Sequence, residues 1–170
     1  MTPAARIAAA IELLDLVLIA SRPADAVAND FFRARRFIGS GDRRAVSGRV
    51  WQVLRTRRRL GWWLDRQGAP VTARLLAGAS LLLEGWSLPG LTEAYAGGRF
   101  GPPPLGQTEL QALRPLEGQP LDHPDMPEAV RLELPDWLLP PLRTRFGAEL
   151  AAELAALGKA APLDLRTNLL

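Results

Sequence analysis

An all-α fold is predicted by the sequence, and three observations support it. Apolar residues recur at helical spacing over most of the first 100 residues. The alternation that is typical of half-buried strands does not occur there. Capping and helix-stopping residues separate the apolar runs, so each run has a defined start or end. A chain of 170 residues, 48% of them hydrophobic, can bury one full core.

The helices are predicted in the following order. Thr2-Pro3 opens the first one, with Thr2 as N-cap and proline at the first helical position, and Ser21-Arg22-Pro23 ends it. Ser40 is the predicted N-cap of a long helix over about 42–60, with Asp42 in its first turn. The other helices predicted in this half span about 24–36, 62–68, 71–83 and 88–95. We expect the helix over 71–83 to be buried, because its apolar run is nearly continuous.

The composition changes after residue 99. Prolines and glycines crowd 100–130, which predicts a linker draped over the surface, with one short helix near Thr108–Leu113. Two further helices are predicted, from Leu134 to Phe146 and over Ala148–Leu157. The chain then ends in a predicted strand over Pro162–Leu170. Because this strand has no visible partner, we expect a domain that is truncated here.

Positive charge is concentrated in one region. Residues 1–100 carry 15 Arg and 8 acidic residues, a balance of +7, whereas 101–170 carry 6 basic and 10 acidic residues, a balance of −4. Eleven arginines lie within 33–66, with only two acidic residues. A local excess of this kind is typical of a surface that binds an anion. An ordinary solvated surface is the alternative.

The long helix has two sides. Apolar side chains form one stripe, and Arg44, Arg55 and Arg59 lie opposite it, with Trp51 close to the first two. Arg43 and Arg57 lie at or near the apolar stripe. We therefore expect these two arginines to reach acids on a neighbouring helix, with Glu12 and Asp15 as candidates.

Several classes of function are disfavoured. The chain has no cysteine and one histidine, so disulfides, thiolate metal sites and a cysteine nucleophile are excluded. His123, between two acids in the proline-rich segment, is expected to be solvent-exposed. No secretory signal, membrane-spanning stretch, nucleophile–base pair or phosphate-binding loop is recognisable. We expect a cytoplasmic monomer.

Two separated stretches carry a family resemblance. The first is DFFRARRFIGSGDRRAVSGRVWQVLR, residues 30–55, and the second is LPDWLLPPLRTRFGAELAAELAALGKAAPLDLRTNLL, residues 134–170. Together they resemble the N-terminal portion of bacterial Sun/NOP-type RNA cytosine-5 methyltransferases, the RsmB-like group. In the second stretch the matching residues are Leu134, Pro135, Trp137, Leu138, Phe146, Gly147, Pro162, Leu163, Leu165, Arg166 and Asn168.

The resemblance implies three parts. A NusB-like helical RNA-binding domain would span 1–99, the proline-rich linker 100–130, and the start of an RNA-recognition-like subdomain 131–170. Such a chain would bind and orient ribosomal RNA for an S-adenosylmethionine-dependent domain. The glycine-rich cofactor loop, acidic ribose contact and two catalytic cysteines of the family have no counterpart here. This chain is therefore expected to bind no cofactor and to be inactive, with S-adenosylmethionine belonging to the missing domain.

Eight arginines and two other residues are predicted to bind RNA, with the arginines making phosphate contacts that release counterions. The set is Arg33, Arg35, Arg36, Arg44, Arg55, Arg58, Arg59, Trp51, Arg166 and Asn168. The turn Gly39-Ser40-Gly41 could offer backbone N–H groups to a phosphate. Trp51, Trp62 and Trp63 could instead be core residues, and Arg166 and Asn168 could instead anchor the strand and its turn.

Other functions stay open. A NusB-like domain could bind another protein, through the helix over 71–83 if part of that helix is exposed. An amphipathic membrane-binding role is less favoured, because the apolar stripe of the arginine-rich helix is expected to face a helical bundle. Salt-sensitive RNA binding would separate the RNA-binding role from the protein-binding role.

Overall fold

The computed structural model describes residues 1–96 and 98–159, and this part of the chain is all-α, without a strand. The ten α-helices are α1 Pro3–Ile19, α2 Ala24–Ala34, α3 Ser40–Arg55, α4 Arg57–Arg66, α5 Ala73–Leu83, α6 Leu88–Ala94, α7 Gln107–Leu113, α8 Glu128–Arg131, α9 Leu139–Phe146 and α10 Leu150–Leu157. Short 3₁₀ turns span Arg114–Leu116, Asp136–Leu138 and Gly147–Glu149. The predicted strand over 162–170, with Arg166 and Asn168, lies outside the described residues.

Local capping residues set several of the helix starts. The Thr2 hydroxyl accepts a hydrogen bond from the Ala5 N–H at the start of α1, as predicted. Thr72 and Ser87 cap α5 and α6 in the same way. The prediction for α3 is wrong by one residue, because Ser40 already lies within the helix. Asp42 does lie in the first turn of α3.

The predicted long helix over 42–60 is in fact two helices, α3 and α4, which meet at Thr56. Thr56 has φ −119° and ψ 18°, and its hydroxyl donates a 2.8 Å hydrogen bond to the Gln52 carbonyl. A threonine that bonds back to the preceding turn competes with the backbone pattern of a helix. The break predicted at Gly61 is wrong. That glycine lies inside α4, where a Cβ would meet Val71 at an ordinary contact distance of 3.8 Å.

Helix α5 lies at the centre of the domain and packs against α1, α3, α4 and α7. Nine of its eleven residues are buried, so the prediction of a buried helix is confirmed and this helix leaves no apolar face for a partner. Gly78 allows α7 to approach, because a Cβ there would lie 3.2 Å from Leu113 Cδ1. Across 1–96 and 98–159, no helix is both long enough and apolar enough to cross a membrane.

The segment 100–130 is packed onto the helices, so the prediction of a linker draped over the surface is not confirmed. Leu113 and Leu116 are fully buried, and Met126 is nearly so. The short helix predicted near Thr108–Leu113 is present as α7. Buried leucines of this kind are part of the domain core, because each removes a large apolar side chain from water.

A clasp on Arg74 holds the proline-rich run against α5. The Arg74 guanidinium donates to the Glu109 carboxylate at 2.7 Å, and to the carbonyls of Pro103 and Pro104 at 2.7 and 2.8 Å. Burial opposes the ionised form of Glu109, but hydrogen bonds from Arg74 and from the Gly106 N–H outweigh it and lower the pKa of this carboxyl. The clasp therefore favours the charged carboxylate.

Replacement of Leu113 by alanine should lower the free energy of unfolding by about 2–5 kcal/mol, because the change opens a cavity beside Gly78. Denaturant unfolding followed by circular dichroism measures this effect. Leu157 is 79% exposed, so Leu157→Ala is the matched control and should change stability by less than about 0.5 kcal/mol. Equal effects of the two substitutions would contradict the packing described for 100–130.

The clasp also predicts a pH dependence. Because the pKa of Glu109 is lower in the folded chain than its ordinary value of 4.5, the carboxylate stabilises the fold above that value and ceases to do so as the pH falls through the folded pKa. The stability difference between the wild type and Glu109→Gln should be full at neutral pH and should shrink on acidification. Unfolding titrations across this range measure it. Glu93→Gln, at an exposed carboxylate, is the control, and a difference for Glu109→Gln that stays constant with pH would count against the clasp.

Candidate nucleic-acid interface

The eleven arginines within 33–66 fall into two groups. Six of them form ion pairs: Arg33, Arg35, Arg49, Arg58, Arg59 and Arg66. The other five make no ion pair with any described residue: Arg36, Arg43, Arg44, Arg55 and Arg57. Only the second group has its full charge left for an external anion.

Four of these unpaired arginines follow α3 from one end to the other, and we call them the α3 arginine set. Arg36 is exposed in the loop before α3, Arg44 is exposed on its first turns, Arg55 is half-exposed at its end, and Arg57 is exposed at the start of α4. Arg44 and Arg55 share one side of α3 and are about 17 Å apart along its axis. The α3 arginine set therefore offers spaced positive charges rather than a single charged point.

The one acid of α3 does not neutralise this set. The Asp42 carboxylate accepts from the N-terminal ammonium of Met1 at 2.9 Å and from Arg6 Nε at 2.7 Å. These hydrogen bonds, the one from the ammonium first, lower the pKa of Asp42. Asp42 thus joins the start of α1 to the start of α3 and leaves Arg44 uncompensated.

Arg43 is the fifth arginine without an ion pair, and it is held inside the domain. Its Nε donates to the Ile38 carbonyl at 2.7 Å, and its guanidinium lies 5.9 Å from the centre of the Phe32 ring. The prediction that Arg43 and Arg57 reach Glu12 or Asp15 is wrong, because neither arginine makes an ion pair with a described residue, and Glu12 pairs with Arg35.

Four of the predicted RNA-binding arginines form ion pairs within the fold. Arg35 pairs with Glu12 and lies 4.0 Å from the centre of the Phe31 ring. Arg58 and Arg59 bind acids of the second half of the chain. Arg33 shares the Asp30 carboxylate with Arg22. Of the predicted arginines within 33–66, Arg36, Arg44 and Arg55 make no ion pair with a described residue. Arg57 makes none either, but the sequence prediction did not include it.

Glu133, which sequence reasoning missed, caps α4 from a distant part of the chain. Its carboxylate accepts from the Arg58 N–H at 2.8 Å, from the Arg59 N–H at 3.2 Å and from Arg59 Nε at 2.9 Å. Thr56, at the N-cap position, makes no side-chain capping bond, so α4 depends on this carboxylate. Glu133 has φ +56°, a left-handed conformation that is costly for a residue other than glycine.

Two more acids complete this junction. Arg59 Nη1 donates to Asp122 at 2.9 Å, and Arg58 Nη2 donates to Asp136 at 3.1 Å. Burial opposes the charge on Arg59, but hydrogen bonds with Asp122 and Glu133 outweigh it and raise the pKa of this guanidinium. We call these three acids and two arginines the α4 junction. The sequence gives one signal for the α4 junction, which is that α4 lacks a local capping residue. No sequence pattern identifies Glu133, 74 residues after Arg59, as the capping partner.

The tryptophans differ in their burial. Trp63 is buried and donates from Nε1 to the Leu121 carbonyl at 3.0 Å, as expected of a core residue. Trp62 is half-buried beneath Arg66, whose guanidinium lies 5.2 Å from the ring centre. Trp51 is half-buried, packs against the core and lies on the same side of α3 as Arg44 and Arg55. Only Trp51 therefore combines partial exposure with a place beside the α3 arginine set.

His123 packs against the indoles of Trp62 and Trp63, with ring centres 5.2 and 5.3 Å away, so the expectation of an exposed histidine is wrong. Its Nδ1 accepts from the Asp125 N–H at 3.1 Å. Across 1–96 and 98–159, no group of three or more histidine and acidic side chains is placed to hold a metal ion.

Comparison of the chain with protein-family models, with curated proteins and with solved structures finds no match in any of the three.

Replacement of Glu133 by glutamine should lower the free energy of unfolding by about 1–2 kcal/mol, since the cap of α4 and the charge opposite Arg59 are weakened. Denaturant unfolding of the purified chain measures it. Glu153→Gln is the matched control, because Glu153 is exposed on α10 and makes no ion pair with a described residue. An unchanged stability in Glu133→Gln would show that α4 does not need this cap.

Proposed function

We propose that this chain binds structured RNA through its phosphate backbone, using the α3 arginine set. The observation that supports the proposal is that Arg36, Arg44, Arg55 and Arg57 are exposed or half-exposed and make no ion pair with any described residue. Unpaired arginines in a row stabilise the fold little, since surfaces that serve only stability intersperse both signs of charge. A polyanion compensates them, and its bound counterions are released on binding.

Arginine suits this role because its planar guanidinium donates two parallel hydrogen bonds to phosphate. The charges are spread along about 17 Å of α3, a length that reaches several phosphates rather than one. Backbone contacts of this kind recognise the shape of folded RNA and give little base specificity. Trp51, between Arg44 and Arg55 on the same side of the helix, is the residue in this region that could contact a base.

Following the resemblance described above, we further propose that the RNA is ribosomal and that the chain orients it for 5-methylcytosine formation. The methyl donor, S-adenosylmethionine, would be held by a separate catalytic domain. The cofactor-binding loop and catalytic cysteines of that family have no counterpart in residues 1–170. No step of methyl transfer is therefore assigned to the residues of this chain.

Protein binding is the second candidate function, and one observation favours it. Helix α5 is covered, but an apolar groove of about 520 Å³ lies between the start of α1 and the exposed rings of Phe37 and Phe100. A groove of this kind offers contact area to an apolar partner. A folded chain that fails to bind RNA in the salt titration below would leave this function as the favoured one.

The triple variant Arg36→Gln, Arg44→Gln, Arg57→Gln tests the RNA-binding proposal. RNA binding is measured at several salt concentrations with a fragment of small-subunit ribosomal RNA, and with duplex DNA for comparison. In a plot of log affinity against log salt concentration, the slope of the variant should be shallower than that of the wild type by about 2–3, since up to three phosphate contacts are lost.

A second triple variant, Arg99→Gln, Arg114→Gln, Arg145→Gln, is the matched control. It removes the same charge from exposed arginines that make no ion pair with described residues and lie outside 36–57 in the sequence. The control should retain the wild-type slope. Equal slopes for the two triple variants, or no salt-dependent binding by the wild type, would overturn the assignment of the α3 arginine set.

A further inference from the structure

A cleft of about 480 Å³ lies where the α3–α4 break faces α8 and α10, and we call it the α10 cleft. This volume falls in the range of roughly 300–1,000 Å³ that small-molecule sites occupy. Its walls differ in chemistry. Arg55, Arg59, Arg131 and Lys159 contribute positive charge, whereas α10 contributes small and apolar side chains, among them Leu154 and Ala155.

The positive charge of this cleft is only partly compensated. Two carboxylates, Asp122 and Glu133, also line it, and both are bound to Arg59. Arg55, Arg131 and Lys159 make no ion pair with any described residue, although Arg131 Nη2 donates to the Met126 carbonyl at 3.3 Å. Three cations that line one concave site attract an anion more strongly than the same charges on an open surface.

The apolar side chains of α10 indicate which kind of anion fits the cleft. Ala151, Leu154 and Ala155 form a continuous side of the helix, because they lie three or four residues apart. This wall offers contact to a flat or apolar group but no hydrogen bond from a side chain. A ligand that contacts both walls needs a phosphate for the cationic wall and a nonpolar ring face for the α10 wall. A nucleotide has both groups.

We infer that the α10 cleft binds a nucleoside phosphate, with the phosphate toward Arg55, Arg131 and Lys159 and the base against α10. The nucleotide is either free or part of a bound RNA strand. In the second case the inference rests on the proposed function, because Arg55 belongs both to the cleft and to the α3 arginine set. The site then holds one nucleotide of the strand, while the α3 arginine set holds the phosphates of the folded region.

The test compares two substitutions one residue apart in α10. Ala155 lines the cleft and is exposed, so Ala155→Glu places a longer, negatively charged side chain on the wall that the base occupies, without disturbing a core contact. The added carboxylate also repels an anionic ligand from the cleft. Ala156 is exposed on another side of α10 and does not line the cleft, so Ala156→Glu has the same charge and length of side chain. Ala155→Glu should weaken binding by roughly tenfold or more, and Ala156→Glu by less than about twofold.

Four probes are titrated into the full chain by calorimetry: adenosine 5′-monophosphate, adenosine, inorganic phosphate and an unstructured oligoadenylate. If Ala155→Glu loses monophosphate binding and Ala156→Glu retains it, the inference is supported with a free nucleotide as the ligand. If the monophosphate does not bind, and Ala155→Glu loses oligoadenylate binding that Ala156→Glu retains, the inference is supported with an RNA strand as the ligand. Adenosine or inorganic phosphate binding as tightly as the monophosphate would overturn it, as would equal binding by the two glutamate variants.

A second pair of variants addresses the cationic wall. Arg131→Gln with Lys159→Gln should reproduce the effect of Ala155→Glu, while Arg114→Gln with Arg145→Gln removes the same charge elsewhere and should not. The two proposals can fail separately. Structured RNA binding that depends on the α3 arginine set, together with monophosphate and oligoadenylate binding that Ala155→Glu leaves unchanged, would overturn the cleft alone. Monophosphate binding that Ala155→Glu weakens, without salt-dependent binding of structured RNA, would overturn the proposed function alone.

Discussion

The carboxylate of Glu133 at the start of α4 is the interaction on which the arrangement of this domain depends. The break at Thr56 creates a second helix, α4, whose first N–H groups find no capping side chain among the residues just before it. Glu133 supplies that acceptor, at the cost of a left-handed backbone conformation. Its position requires the segment around α8 to lie against α4, and this places Leu134 in a buried site beside it.

The same requirement changes the meaning of the charge imbalance between the two halves of the chain. Four arginines of the basic half pair with acids of the acidic half: Arg58 with Asp136, Arg59 with Asp122 and Glu133, Arg66 with Asp125, and Arg74 with Glu109. Part of the imbalance is therefore a complementarity within one domain. The more exposed of these pairs, Arg58–Asp136 and Arg66–Asp125, each contribute little to the free energy of folding. Together with the partly buried pairs and the cap, they fix where 100–136 lies.

Sequence reasoning predicted what local chemistry decides. The caps at Thr2, the buried run of α5 and the short helix α7 each follow from residues within a few positions of one another. The cap that Glu133 provides for α4 and the burial of Leu116 depend on partners far along the chain, so no local pattern indicates them. For the same reason, arginine counts located the charged region, but they could not separate Arg59, which Glu133 holds, from Arg57, which is exposed.

The number of arginines left over has a consequence for the proposed function. Salt dependence and affinity scale with the phosphates that a protein neutralises, so a site with four free cations binds more weakly than eleven arginines would suggest. A weak, shape-reading contact does not hold an RNA by itself, but it gains much when a second module holds the same molecule at a high effective concentration. For the proposed function, four free cations favour a positioning role over an anchoring one, because ion pairs within the fold hold six of the eleven arginines.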